Sequence, residues 1–411
     1  MKTDLVMQSN IEEFIEIEGK SGNKFTLRKN TYGVLVPDVN NPLSCVSVSN
    51  DSLSIDLWTG CPWQCRYCHV QGTYNDLRNE GRMLKIPQRR SNFSVKEIID
   101  NLVEHPFFTP NETIISIGTA STEPFAEGPV VESTFEIMFE FLERGLKNPF
   151  WIITKGGIPK HKKQSMAKIV QAGNPLMISI CWANNPNTIE PVNNNRFRGV
   201  EEAKEAGATI SWHLRPIVNE WSGSERNIEM MMLWVNKNYH NMIDSIVPGG
   251  LRWTEGIEYG LTELSGIEMP KIPKKDNVKY FSPALWKKIS KLSKELFPGV
   301  PLYQKSSCCM SKMLGTPSIN LVQHLCKDEC EESICPIEQR QICASYNPKK
   351  IGNEGLQNIF DKLNLDIKAI GITDNYQIMS EPSMINFTYA INQTVKKELA
   401  KGGYNERKSS G

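Results

Sequence analysis

Short alternating runs of apolar and polar residues open the chain, and near residue 51 they give way to a longer rhythm. Phe14-Ile15-Glu16-Ile17-Glu18 and Lys24-Phe25-Thr26-Leu27 flank Ser21-Gly22-Asn23, which predicts a hairpin within a β-rich lead-in over residues 1–50. Beyond it, apolar runs of strand length alternate with stretches of helical period. Strands are expected at 52–58, 113–118, 150–154, 176–182, 208–215 and 242–248, and helices near 94–104, 131–145, 161–172, 197–206 and 224–237. Ser94 with Glu97 three residues on is a capping-box start, in which side chain and backbone satisfy each other's amide hydrogens. Strands alternating with helices predict an α/β fold on a parallel sheet.

The run 208–215 tests that reading from inside. Thr209, Ser211, His213 and Arg215 fall on one face, and Ala208, Ile210, Trp212 and Leu214 on the other, because successive side chains alternate across a strand. The apolar face suits packing under helices. The polar face suits either a wet, ligand-holding interior or the solvated side of an edge strand. In 176–182, Ser179 and Cys181 share a face. Cys181 is there a hydrogen-atom donor, a ligand, or a small buried apolar residue.

After residue 270 the pattern changes again. Lys271-Ile272-Pro273-Lys274-Lys275 reads as a linker, 283–296 as a helix, and the segment to 349 is rich in cysteine. Residues 350–411 read as a small α/β cap, with a helix at 353–363, strands at 366–372 and 384–389, and a helix at 390–400 before a polar tail. The domains expected are therefore 1–50, 51–270, 271–349 and 350–411. The Asn/Pro-rich stretch 184–195 follows the fourth strand, as a lid, a substrate reader or a surface excursion.

Charge narrows little: 47 Lys and Arg against 46 Asp and Glu give no field that would favour nucleic acid. No apolar run approaches the roughly eighteen residues of a membrane span. Met1 to Phe14 lacks the apolar core of a signal peptide. Eleven cysteines without an export signal point to thiols kept reduced, hence to a cytoplasmic protein.

The chemistry concentrates in Gly60-Cys61-Pro62-Trp63-Gln64-Cys65-Arg66-Tyr67-Cys68-His69. Three thiolates at C-x3-C-x2-C can hold three corners of a [4Fe-4S] cube and leave the fourth iron without a protein ligand. An open metal position marks a catalytic site rather than a closed structural one. A zinc site or a redox thiol pair is the alternative, although zinc modules favour a second cysteine pair, and none lies nearby.

This loop, with aromatic Tyr67 before its last cysteine, resembles the cluster-binding loop of the radical S-adenosylmethionine superfamily. The six βα units match that superfamily's partial (β/α)6 TIM-type barrel, whose site gathers at the C-terminal ends of the strands. The resemblance implies a [4Fe-4S] cluster, S-adenosylmethionine chelated to its open iron, and a donor such as flavodoxin or ferredoxin that reduces it. A 5′-deoxyadenosyl radical would then take hydrogen from the substrate.

Further stretches resemble the spore photoproduct lyase branch, part of the DNA repair photolyase-like proteins. They are Ile117-Gly118-Thr119-Ala120-Ser121-Thr122-Glu123-Pro124-Phe125, Trp151-Ile152-Ile153-Thr154-Lys155, Met177-Ile178-Ser179-Ile180 and Gly199 to Pro216. By that resemblance Glu123 lies near the amino group of S-adenosylmethionine. Thr154, Ser179 and Arg215 lie near its carboxylate or ribose, and Tyr67 and Gly118 join the cofactor-binding set. That branch also carries a hydrogen-donating cysteine soon after the loop. Here no cysteine occurs between Cys68 and Cys181, so the radical machinery carries over and the substrate does not.

Six cysteines cluster late: Cys308, Cys309, Cys326, Cys330, Cys335 and Cys343. The last four suit a second, auxiliary [4Fe-4S] cluster, a zinc site, or packing without metal. Cys308 and Cys309 are candidate donors to a substrate radical or cluster ligands. Two substrate classes follow. One is a nucleotide or nucleic acid, served by basic pieces (82–90 and 155–163) and by Trp182, Trp212 and Trp253 as stacking platforms. The other is a peptide or small metabolite. A non-catalytic iron–sulfur sensor is the reading from another class.

Overall fold

A computed structural model describes residues 14–18, 22–30, 41–48, 52–68, 75–76, 84–105, 108–119, 121–126, 128–274, 279–317, 334–345, 353–362, 368–372 and 378–381. The expected hairpin is present: β1 (Phe14–Glu18) pairs antiparallel with β2 (Lys24–Asn30). The next strands are β3 (Val46–Val48), β4 (Leu53–Ile55), β5 (Trp58–Thr59), β6 (Asn75–Asp76) and β7 (Gln88–Arg89). The βα series follows: α1 (Val95–Val103), β8 (Ile115–Ile117), α2 (Pro129–Glu143), β9 (Phe150–Thr154), α3 (Lys163–Gln171), β10 (Leu176–Cys181), α4 (Val200–Glu205), β11 (Thr209–His213), α5 (Glu225–Tyr239) and β12 (Ser245–Ile246).

The central sheet runs in the order β12-β11-β10-β9-β8-β4-β3. Six of its strands are parallel, and β3 adds an antiparallel edge. This is an α/β architecture consistent with a partial TIM-type barrel. The lead-in contributes directly to it, since Val46–Val48 registers against Ile55–Leu53.

The two faces of the sheet differ as the alternation at 208–215 demands. Ile55, Ile117, Ile152, Ile178, Ile180, Ile210, Trp212 and Ile246 belong to one apolar core with Ile98, Leu102, Phe135, Met138, Ile169, Val200 and Met232 of the surrounding helices. The opposite face carries hydroxyls in matched register: Ser54 beside Ser116, Ser179 beside Ser211, Ser211 beside Ser245. The edge-strand alternative is excluded, because β11 is paired on both sides. The polar face is not simply wet, however. Ser211 and His213 are fully buried, and Trp151, Met177, Val247, Tyr303, Cys309 and Met310 form a second apolar cluster on that side.

Beyond β12 come α6 (Glu255–Ser265), α7 (Pro283–Leu296), α8 (Ser306–Leu314), α9 (Ile337–Ser345) and α10 (Asn353–Lys362). Then β13 (Lys368–Ile372) pairs antiparallel with β14 (Ile378–Glu381). The expected helix at 353–363 and strand at 366–372 are found. The expected strand 384–389 and helix 390–400 lie outside the described residues. Leu302 extends the sheet by a parallel bridge to Ile246 and an antiparallel one to Ile334. No described helix is long and apolar enough to cross a membrane.

Candidate active site

The cysteine loop leaves the sheet at the C-terminal end of β4, through β5, and is fixed by backbone contacts to two neighbouring loops. Gly60 N donates to Ser121 O at 3.1 Å and Cys61 N to Leu84 O at 2.8 Å. Thr122 Oγ1 donates to Gly60 O at 2.6 Å. Gly60 has φ +98°, and a Cβ there would stand 2.8 Å from Leu84 O, so only glycine permits this approach. Gln64 adopts a left-handed conformation, and its Nε2 donates to Cys61 O at 2.7 Å, bracing the turn between the first two cysteines. Arg66 N donates to Ile189 O, so the 184–195 loop packs on the cysteine loop from the other side. Ile257 and Leu261 of α6 close over Cys65 and Tyr67 in a small apolar cluster.

The three thiols feel one another. Burial pushes Cys61 well above the usual thiol range, reinforced by Glu123, Cys68 and Cys65. Burial lifts Cys65 to about 12 against the opposing pull of Lys155, with Glu190 and Cys68 raising it further and Arg196 lowering it. Such groups lose their protons readily only to a bound cation. Lys155 and Arg196 beside Cys65 are suited to offset the resulting negative charge.

Those two cations belong to a buried network around Glu190. Tyr67 OH donates to Glu190 Oε2, Lys155 Nζ lies 2.9 Å from the same oxygen, and Arg196 pairs with Oε1. Lys155 also donates to Tyr67 OH and sits 4.7 Å over its ring centroid. Arg196 NH1 donates to Cys181 O at 2.9 Å, tying the end of β10 into the same group. Burial works against the Glu190 carboxylate, but Lys155 and Arg196 hold it below its ordinary range.

On the other flank, Glu123 is buried at the end of the β8 loop. Its Oε1 accepts from Thr154 Oγ1 and from Phe125 N, and its Oε2 accepts from Lys155 N at 2.8 Å. Burial raises its pKa although all three bonds favour the charged form. Gly118 turns the chain here with φ +67°, and a Cβ would press on Pro124 and Thr122. Thr154 is therefore a direct partner of Glu123.

Ser179 and Arg215 sit along the polar face. Ser179 Oγ accepts from Trp151 Nε1 at 2.9 Å. Arg215 NH2 meets His213 Nδ1. A guanidinium can only donate, so Nδ1 accepts and the proton of the neutral imidazole resides on Nε2. Burial, Arg215 and Lys279 push His213 well below the usual histidine range, and its Nε2 has no partner. A buried N–H left unpaired is costly, and a ligand hydroxyl or carboxylate would satisfy it.

The structure thus brings Cys61, Cys65, Cys68, Tyr67, Gly118, Glu123 and Thr154 together, with Cys181 linked through Arg196. Cys308 and Cys309 lie instead on α8, packed with Tyr303 and Met177. Cys335 and Cys343 flank and occupy α9, while Cys326 and Cys330 lie outside the described residues. Among the described residues, no three His, Cys, Asp or Glu side chains close on a single metal ion. Glu190, Arg196 and the side-chain role of Lys155 are not legible from sequence, because residues 155, 190 and 196 meet only when β9 and β10 lie side by side. The strand-end tryptophans are not free platforms: Trp212 is fully buried in the helix-side core, and Trp253 Nε1 donates to Glu258. Trp182 lines a pocket of about 270 Å³ with Asn185, Glu190, Arg196, Phe197 and Trp234.

The sequence matches no family model and no curated protein. Among solved structures, the chain is similar to the X-ray structure of the FeFe-hydrogenase maturase HydG from Carboxydothermus hydrogenoformans, at 13% identity and a TM-score of 0.36. The likeness covers 64% of this chain and 55% of that one, so the chain spans about half the length of that protein.

Proposed function

We propose that Cys61, Cys65 and Cys68 hold a [4Fe-4S] cluster with one open iron, and that the protein is a radical S-adenosylmethionine enzyme. When bound and reduced by one electron, such a cluster cleaves S-adenosylmethionine to methionine and a 5′-deoxyadenosyl radical, which abstracts hydrogen from a substrate. The observation that carries this reading is that three cysteines at C-x3-C-x2-C share one loop, braced by hydrogen bonds to its neighbours, at the C-terminal end of a parallel sheet. The donor set fits the cluster: all three ligands are sulfur, and the Lys155–Glu190–Arg196 group beside Cys65 carries a surplus positive charge.

The chain's own residues supply the rest. Glu123 is suited to hold the ammonium of the cofactor, a charge-assisted contact that would keep the buried carboxylate ionised. Arg215 and the Nε2–H of His213 are suited to a carboxylate or hydroxyl on the polar face. A flavodoxin- or ferredoxin-like donor is the expected source of the electron. Of the two substrate classes, the peptide or small metabolite is favoured. Lys160, Lys162 and Lys163 pair with Glu202, Glu132 and Glu205, which neutralises much of the 155–163 basic piece that a nucleic acid would use.

The test is anaerobic reconstitution with iron and sulfide, followed by S-adenosylmethionine and dithionite. The wild type is expected to form 5′-deoxyadenosine, and Cys61→Ser, Cys65→Ser and Cys68→Ser together to abolish it. A loaded cluster that yields no 5′-deoxyadenosine would make the protein a non-catalytic iron–sulfur protein instead.

A further inference from the structure

We propose that Cys308, Cys335 and Cys343 are ligands of a second iron–sulfur cluster, of the [4Fe-4S] type, seated beside Tyr303 on the polar side of the sheet. This ligand set differs from the C-x3-C-x4-C-x7-C run 326–343 that the sequence suggests, because α8 brings Cys308 in from an earlier segment.

Three structural features converge on the site. Leu302 and Ile334 exchange both backbone hydrogen bonds at 3.0 Å, which places Cys335 next to the segment carrying Tyr303. Cys308 and Cys335 both pack against the apolar cluster that contains Tyr303, Cys309 and Met310. Gln339 Nε2 of α9 reaches Thr316 O, just past the end of α8, at 2.8 Å and Cys343 Sγ at 3.5 Å, so the two helices are clamped with Cys343 at their junction.

The polar atoms around these thiols point independently to a ligand. Tyr303 is almost wholly buried, yet its hydroxyl has no hydrogen-bond partner, and the buried Ser307 Oγ, one residue before Cys308, is in the same state. Buried hydroxyls are rarely left so, and both call for an acceptor that the protein does not provide. The sulfides and thiolate sulfurs of a cluster accept hydrogen bonds from such hydroxyls.

Cys309 is not assigned as a ligand. Its Sγ donates to Ser306 O at 2.7 Å and lies 3.6 Å from Met177 Sδ, within the apolar cluster.

The experiment counts iron and acid-labile sulfide per chain after anaerobic reconstitution of the full-length protein. Replacing Cys308, Cys335 and Cys343 together by Ser is expected to halve both, as is replacing Cys61, Cys65 and Cys68. Cys309→Ala is expected to leave them unchanged. If the first loop holds no cluster, its variant changes nothing and the second variant loses all iron, so the failures of the two readings are distinguishable. Should the triple variant not fold, Cys343→Ser alone on α9 is expected to lower iron while near-wild-type circular dichroism persists. Tyr303→Phe is expected to retain iron and to lower the midpoint potential of one cluster in an EPR-monitored titration, because a hydrogen bond to sulfur is lost. Full iron in the Cys308/Cys335/Cys343 variant, stoichiometric zinc in the wild type, or loss of iron on Cys309→Ala but not on Cys308→Ser would each overturn the assignment.

Discussion

Adjacent residues of β11 point to opposite worlds. Trp212 faces the helices, stacks on Trp182, meets Phe297 and Phe197, and donates its Nε1 to Trp182 O. His213 faces the polar side, with one nitrogen bound to Arg215 and the other unpaired. Both are fully buried. Burial alone therefore does not separate the two faces of β11; hydrogen-bond satisfaction does. The helix-side face is apolar and needs nothing further, whereas the polar face is paired hydroxyl to hydroxyl and keeps unfilled donors at His213 and Tyr303.

Trp212→Ala should break the comparison most severely. It removes the largest fully buried side chain among the described residues and leaves a cavity in the helix-side core, at a cost of about 3–5 kcal/mol. Chemical denaturation should show a large fall in midpoint, while iron per folded chain stays at the wild-type level. An equal loss of iron in the folded fraction would mean that the two faces are not separable.

The hydroxyl pairs sharpen it at smaller scale. Ser211 Oγ and Ser245 Oγ lie 2.9 Å apart across β11 and β12, both buried. Ser211→Ala strands one partner and should cost about 1–3 kcal/mol, whereas the double replacement of Ser211 and Ser245 by Ala should be close to neutral. A double-mutant cycle checks this, and simple additivity of the two single effects would argue that water rather than the partner satisfies each hydroxyl.

Much of the scaffold was legible in the sequence because it follows from period. The strand and helix positions from 52 to 248 come from apolar spacing, and the Ser94–Glu97 box starts α1 as read. What escaped has physical reasons. Val46–Val48 is too short for alternation to register, and its place at the sheet edge depends on pairing with Leu53–Ile55. In α8, Ser306–Leu314, consecutive small and sulfur-bearing residues mask the helical stripe. Lys155, Glu190 and Arg196 look like ordinary surface charges in the sequence; only the fold desolvates them and forces them to pair. The cysteine loop was legible as a ligand set, but its bracing by Gln64 and Leu84 was not, because the accepting groups are backbone carbonyls that carry no residue signature.

The smallest effect belongs to a part of the molecule away from both faces, and it calibrates the others. At the start of α1, Ser94 N and Oγ donate to Glu97 Oε2, and Glu97 N donates back to Ser94 Oγ. The Ser94 side chain and backbone hold the Glu97 carboxyl below its ordinary range. A carboxylate depressed in the folded state stabilises it fully above the unfolded value of about 4.3, and that contribution fades as pH falls through the lower folded value. The stability difference between wild type and Glu97→Gln should therefore be constant at neutral pH and shrink towards zero in acid. Because the group is solvent-exposed, the difference should be far smaller than for Trp212→Ala. Iron content should not respond at any pH at which the chain stays folded, since the capping box touches neither cysteine group. If it did respond, α1 would be coupled to the cysteine loop through contacts the described residues do not contain, and the division between a self-satisfied scaffold and an unsatisfied site would have to be redrawn to include it.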